Sequence, residues 1–175
     1  MNHTTFALAL TGLLAACASA PAPTPPVPDT LKPAAGEAPM GAVAARGVQI
    51  YECRAKKDNP AATEWAFVAP EAELLDGYGR KVGKHYAGPQ WESMDGSKIA
   101  GSVKSRADAP QAGAIPWLLL TTKSVGPEGS FAKVTSIQRV NTSGGSAPTG
   151  GCDAASIGKT ARIPYTADYV MFAAK

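Results

Sequence analysis

Downstream of Gly47 the apolar residues arrive in short runs broken by Gly, Pro, Asn and Asp: GVQIYECR, EWAFV, IPWLLLTTK, VTSIQRV and YTADYVMF. The runs are rich in β-branched and aromatic residues, and no long stretch keeps an apolar stripe at helical spacing, so they predict strands. In GVQIYECR, Val48 and Ile50 point one way while Tyr51 and Cys53 point the other, and IPWLLL is apolar on both faces. Such strands lie near a two-sheet core, with apolar neighbours on each side. The pattern predicts a mostly β domain, an antiparallel β-sandwich or a closed β-barrel, with at most short helical turns. PEAELLD, with Pro70 where a first helical turn tolerates it, is the candidate turn. LLDGYGRKVG and SMDGSKIAG both read as hairpins, because the glycine of Asp-Gly takes positive φ without strain at Cβ.

Upstream the pattern changes. Phe6 to Ala16 is an uncharged run of small and apolar residues, shorter than the roughly 20 that a membrane-spanning helix needs, and reads as an export signal. Leu14, Ala15, Ala16 and Cys17 resemble the lipobox of bacterial lipoproteins, which implies a signal peptide over 1–16 and a lipidated Cys17 as first residue of the mature chain. The leading MNHTT lacks the Lys or Arg usual there. Ala18-Ser19-Ala20 offers a rival cleavage site that would release a secreted protein beginning at Pro21. Ala18 after the cysteine is not an inner-membrane retention signal, so in a Gram-negative cell the expected location is the outer membrane, facing the periplasm. Ala18 to Arg46 holds seven of the fifteen prolines and little that packs. Residues 17–46 are therefore expected to be a tether, and 47–175 a single β-domain.

The formal charge of +3 comes from Lys and Arg scattered among acids, which gives no footprint for nucleic acid. Lipidation of Cys17 leaves Cys53 and Cys152 as an even pair, expected to form a disulfide in an oxidising compartment. No Cys-x-x-Cys or matching histidines accompany them, and His85 is the single histidine of the mature chain, so neither a metal site nor a cofactor is expected. There is no G-x-S-x-G elbow, and IGKT at Ile157–Thr160 lacks the first glycine of a phosphate-binding loop.

The densest chemistry is in KHYAGPQWESMDGS, which holds His85, Tyr86, Trp91, Glu92 and Asp95. Trp91 beside a carboxylate suits stacking on a sugar, and Glu92 with Asp95, assisted by His85, is the set that a hydrolase would use. A plainer reading makes Trp91 a core residue, Glu92 its outward neighbour and Asp95-Gly96 a turn. A second candidate surface has Arg139 and Asn141 alternating onto one face with Ile137. Asp168, between Tyr165 and Tyr169, is a cross-strand salt-bridge partner for Arg139 if the two strands are neighbours.

Together GVQIYEC, HYAGPQWESMDGS, IPWLLL, IQRVNTSGG, GCD and IPYTADYVMF resemble an uncharacterised family of exported proteins, the domain of unknown function 3455. The resemblance implies one domain of about this length and carries no catalytic role to any residue. The leading expectation is a lipid-anchored envelope protein whose domain binds a small molecule, glycan or protein partner without catalysis. The alternatives are a secreted hydrolase using Glu92 and Asp95, and a structural envelope component without a pocket.

Overall fold

The short apolar runs become eight strands: β1 Glu37–Ala55, β2 Thr63–Leu75, β3 Lys81–Tyr86, β4 Gln90–Ser93, β5 Lys98–Ala107, β6 Trp117–Ser124, β7 Ser136–Gly144 and β8 Thr160–Ala174. The computed structural model describes residues 26–175. Each strand pairs antiparallel with its chain neighbours, and β8 returns to β1, closing the sheet into an up-and-down barrel. Of the two expected architectures, the barrel is the one formed, and closure leaves no strand unpaired along its whole length on either side. The seam is long, running from Glu37 opposite Ala174 to Glu52 opposite Thr160.

The two Asp-Gly sites turn as their chemistry dictates. Asp76 accepts the Tyr78 and Arg80 amides at 2.9 Å each between β2 and β3, and Asp95 accepts the Ser97 amide at 3.0 Å between β4 and β5. PEAELLD is not a helical turn: Pro70 to Leu75 form the second half of β2, and Asp76 opens the turn that follows. Pro70 pairs with Gln49 of β1, while β3 reaches only Ala72 on the other side. Its missing N–H thus falls on an unpaired edge, where a strand tolerates proline.

The folded body begins earlier than Gly47. β1 starts at Glu37, and Leu31, inside the expected tether, is 0 % exposed. A 3-10 turn, Asp29–Leu31, lies on the outside of the barrel, where Leu31 packs with Trp117, Leu119 and Val140. Gln138 donates to the Leu31 carbonyl at 2.6 Å, and the Ser105 hydroxyl to that of Thr30 at 2.6 Å. This cover explains why IPWLLL is apolar on both faces: Leu118 and Leu120 face the lumen, while Trp117 and Leu119 face the N-terminal segment.

Cys53 and Cys152 are bonded, with sulfurs 2.04 Å apart. The bond fastens the end of β1 to the β7–β8 connection beside the seam, where Cys53 also exchanges backbone hydrogen bonds with Gly158 and Lys159 at 2.8 and 2.9 Å.

Candidate functional site

Alternation along each strand sends every second side chain inward, and the two ends of the lumen are filled differently. The lower end carries the β2–β3, β4–β5 and β6–β7 connections. There the 125–135 connection folds Phe131 and Val134 in against Leu74, Ile99, Ile137 and Met171. The upper end encloses a cavity of about 530 Å³, within the usual range for a small-molecule site.

The cavity floor is aromatic. His85 of β3 and Trp91 of β4 are directly opposite one another across their hairpin, and their rings stack with centroids 4.3 Å apart. Tyr169 of β8 meets both edge-on, at 5.1 and 5.4 Å. Gly101 on β5 leaves room for the indole, since a Cβ there would come within 2.8 Å of the Trp91 ring. The walls are Leu118 and Leu120 of β6, Ile115, and Tyr51 of β1.

An opening in the side follows from strand length. β3 and β4 are short, so β2 above Ala72 and β5 above Ala100 have no strand between them. The β3–β4 turn crosses below this gap, with Gly88 at φ 138° followed by a cis peptide to Pro89. Phe67 and Val68 on one side and Val103 on the other are exposed apolar residues that also line the cavity.

Two irregularities aim the flanking strands. Between Phe67 and Ala69, β2 has one residue more than β1, so Phe67 and Val68 both reach the opening. A bulge between Val103 and Ser105 leaves Ser105 opposite outward-facing Leu119, and Arg106 opposite inward-facing Leu118. Bulges re-aim side chains in this way.

Polar groups converge on the upper lumen. Arg139 of β7 donates from Nε and Nη2 to the Pro116 carbonyl at 3.0 and 2.9 Å. Its charge acts on Tyr51, His85, Tyr165 and Tyr169 around it. Among the described residues neither Arg139 nor Arg106 has an acidic partner within ion-pair distance, and no carboxylate lines the cavity. Gln49, 2 % exposed, has its amide nitrogen unpartnered, as does the indole nitrogen of Trp91.

Burial pushes His85 down to about 3, the charge of Arg139 adds to this, and the hydrogen bond to the Gln90 carbonyl at 2.8 Å opposes it. The ring is therefore neutral near pH 7 and donates from Nδ1. Burial likewise raises Tyr51, Tyr165 and Tyr169 above the ordinary phenol range, keeping them protonated. The lining holds no serine, cysteine or carboxylate beside His85, and sets hydrogen-bond donors against apolar walls.

The residues singled out in the sequence divide between the faces. His85, Trp91 and Arg139 line the cavity; Tyr86, Glu92, Asp95 and Asn141 do not. Trp91, 1 % exposed, presents no open face for a sugar. Glu92 points outward and accepts from the Tyr86 hydroxyl at 2.6 Å, with Lys84 and Lys98 each at 3.2 Å. That tyrosine bond first, and the two lysines after it, hold its carboxyl down to about 2. Asp95 fastens a lower turn, accepting from the Ser97 hydroxyl at 2.6 Å and from the Ser130 amide and hydroxyl at 2.8 and 2.7 Å. Those bonds depress its pKa, the Ser97 hydroxyl most. The two carboxylates thus serve separate surface structures, and the cleft expected of a Glu92–Asp95 pair is not formed.

β7 and β8 are neighbours, yet Arg139 is opposite Tyr169 and faces in, whereas Asp168 is opposite Val140 and faces out. The Arg139–Asp168 bridge therefore does not form. A bulge between Val140 and Ser143 also takes Asn141 off the Arg139 face. With φ at 51°, Asn141 donates to Asp168 at 2.8 Å outside. Gln49, Tyr51, Phe67 and Arg106 were missed. For Gln49 a signal existed, since it alternates with Tyr51 and Cys53 and is a polar residue on a face expected to be buried.

No curated protein and no solved structure matches the chain. The family model described as "Protein of unknown function (DUF3455)" matches residues 33–173, the strands that build the barrel and its lumen, and the chain belongs to that family.

Proposed function

We propose that this chain is a lipid-anchored envelope protein whose barrel holds one small, largely apolar molecule in its upper lumen without transforming it. The observation that carries this reading is the cavity of about 530 Å³, walled by aromatic and aliphatic side chains and reached through a side opening edged by Phe67, Val68 and Val103. Eight-stranded barrels are the size at which the interior is filled or holds one small ligand. Of the ligand classes open from the sequence, a small apolar molecule fits better than a glycan, because the Trp91 ring is committed to His85. The lipobox-like Leu14–Cys17 supports attachment through Cys17 to the outer membrane, facing the periplasm. The Cys53–Cys152 bond suits an oxidising compartment.

Binding is tested with N-phenylnaphthylamine, a neutral apolar fluorophore. Saturable enhancement at one molecule per chain is expected, and emission that rises without saturating would sink the reading. For the anchor, Cys17→Ser should move the protein from the membrane fraction to the soluble one and stop incorporation of labelled fatty acid. A wild-type chain that carries no label would overturn it.

A further inference from the structure

Arg139 sits among the cavity's apolar and aromatic walls with two of its donors spent on the Pro116 carbonyl. A guanidinium carries five N–H donors; besides the Pro116 carbonyl it addresses the Tyr169 hydroxyl, and the rest of the fork remains for another acceptor. Gln49 lines the same cavity, and its amide, as a hydrogen-bonding group, and the Arg139 charge both act on the Tyr165 hydroxyl. Buried polar groups in folded proteins nearly always have partners; the Gln49 amide nitrogen faces the Tyr165 hydroxyl without a bond of good geometry, which leaves it a donor for an incoming acceptor. A cation without a counter-ion beside apolar walls likewise costs solvation energy, which an incoming anion offsets. Arg106, turned to the mouth by the bulge before it, places a second positive charge along the way in.

We propose that the upper lumen is an anion site that takes an amphipathic carboxylate, its head held by Arg139 and the Gln49 amide and its apolar tail lying along Leu118 and Leu120 toward the side opening. The planar fork of arginine matches the two oxygens of a carboxylate. The apolar walls supply affinity that does not depend on the head. This assignment rests on the reading of the barrel as a holder of one small molecule, and it adds the class of molecule.

The test is displacement of N-phenylnaphthylamine from the purified full-length chain by decanoate and by decanol, at about pH 7.5, where decanoate is ionised. The two compounds share the tail and differ in the head. Wild type should prefer decanoate by at least about tenfold, the scale of charge-assisted hydrogen bonds in a partly dry site. In Arg139→Met the ratio should fall to near one, and in Arg139→Lys, which keeps the charge but not the fork, to an intermediate value. If Arg139→Met does not unfold cooperatively, wild type and Arg139→Lys decide the matter. Fluorophore binding without preference for decanoate overturns the anion site and leaves the apolar lumen standing, as does an unchanged ratio in the arginine variants. No binding of fluorophore, decanoate or decanol overturns both readings.

Discussion

The lower and upper halves of the barrel obey the same alternation and end in opposite states. Below, inward positions are aliphatic or aromatic, and the 125–135 connection adds Phe131 and Val134, so the lumen is a packed core. Above, inward positions include Arg139, Gln49 and His85, short β3 and β4 leave a gap, and the lumen is a cavity. The ends are also held by different means. The lower depends on burial, with Asp95 tying the β4–β5 turn to Ser130 of the plugging loop; the upper has a disulfide beside the seam. Alternation alone therefore decides which side chains enter the lumen, while their size, and a loop that supplies more of them, decides whether space remains.

Four changes probe this contrast, from the largest effect to the smallest. Phe131→Ala should lower stability by about 3–5 kcal/mol in urea unfolding, the range for a large side chain removed from a packed interior. A loss under about 1 kcal/mol would mean that the lower end is not held by its plug. Replacing both Cys53 and Cys152 with Ser should lower stability by about 2–5 kcal/mol, since the bond closes a loop with a sequence separation of 99. An unchanged urea midpoint would remove the disulfide from the account of the upper end.

The third change is in pH. Folded His85 stays neutral down to about 3, whereas its ordinary pKa is 6.5. Between these values the unfolded chain binds the extra proton, so stability falls as pH falls, by about 1.4 kcal/mol per unit or about 2 kcal/mol from pH 6.5 to 5. Glu92 and Asp95 contribute only at lower pH, because their ordinary values are 4.5 and 3.8. His85→Gln should abolish the slope in the upper window; a slope that persists would show that another group produces it. Last, Gln49→Leu should shift stability by less than about 1 kcal/mol, because it removes an amide whose nitrogen has no partner. A loss of more than about 2 kcal/mol would place Gln49 in the structural framework instead.

The strands were legible because β-branched and aromatic runs between turn residues have few alternatives, and the Asp-Gly hairpins because their side chains and glycines satisfy local geometry unaided. The disulfide followed from cysteine number and the expected compartment. The site was legible only in part. KHYAGPQWESMDGS looks dense as a string, but in a hairpin its neighbours face opposite ways: His85 pairs with Trp91 on the inside and Lys84 with Glu92 on the outside. Applying the two-residue period across that turn would have separated the sets. Arg106, Asn141 and Val68 were beyond such reasoning, because each lies at or next to a one-residue bulge that resets the alternation. Bulge positions depend on how neighbouring strands pair, which the string does not contain.

The packing of Leu31 bears on the attachment proposed above. If Cys17 carries the proposed lipid, the Val27–Leu31 segment fastened to the barrel wall leaves only the stretch of residues 17–26 between lipid and barrel. Even fully drawn out at about 3.3 Å per residue it spans only about 30 Å, against the roughly 60 Å available to a 20-residue proline-rich tether. A barrel attached in this way would sit within about 30 Å of the lipid surface. Under the proposed anchoring and binding, a molecule leaving the bilayer would have only a short diffusive path to the barrel.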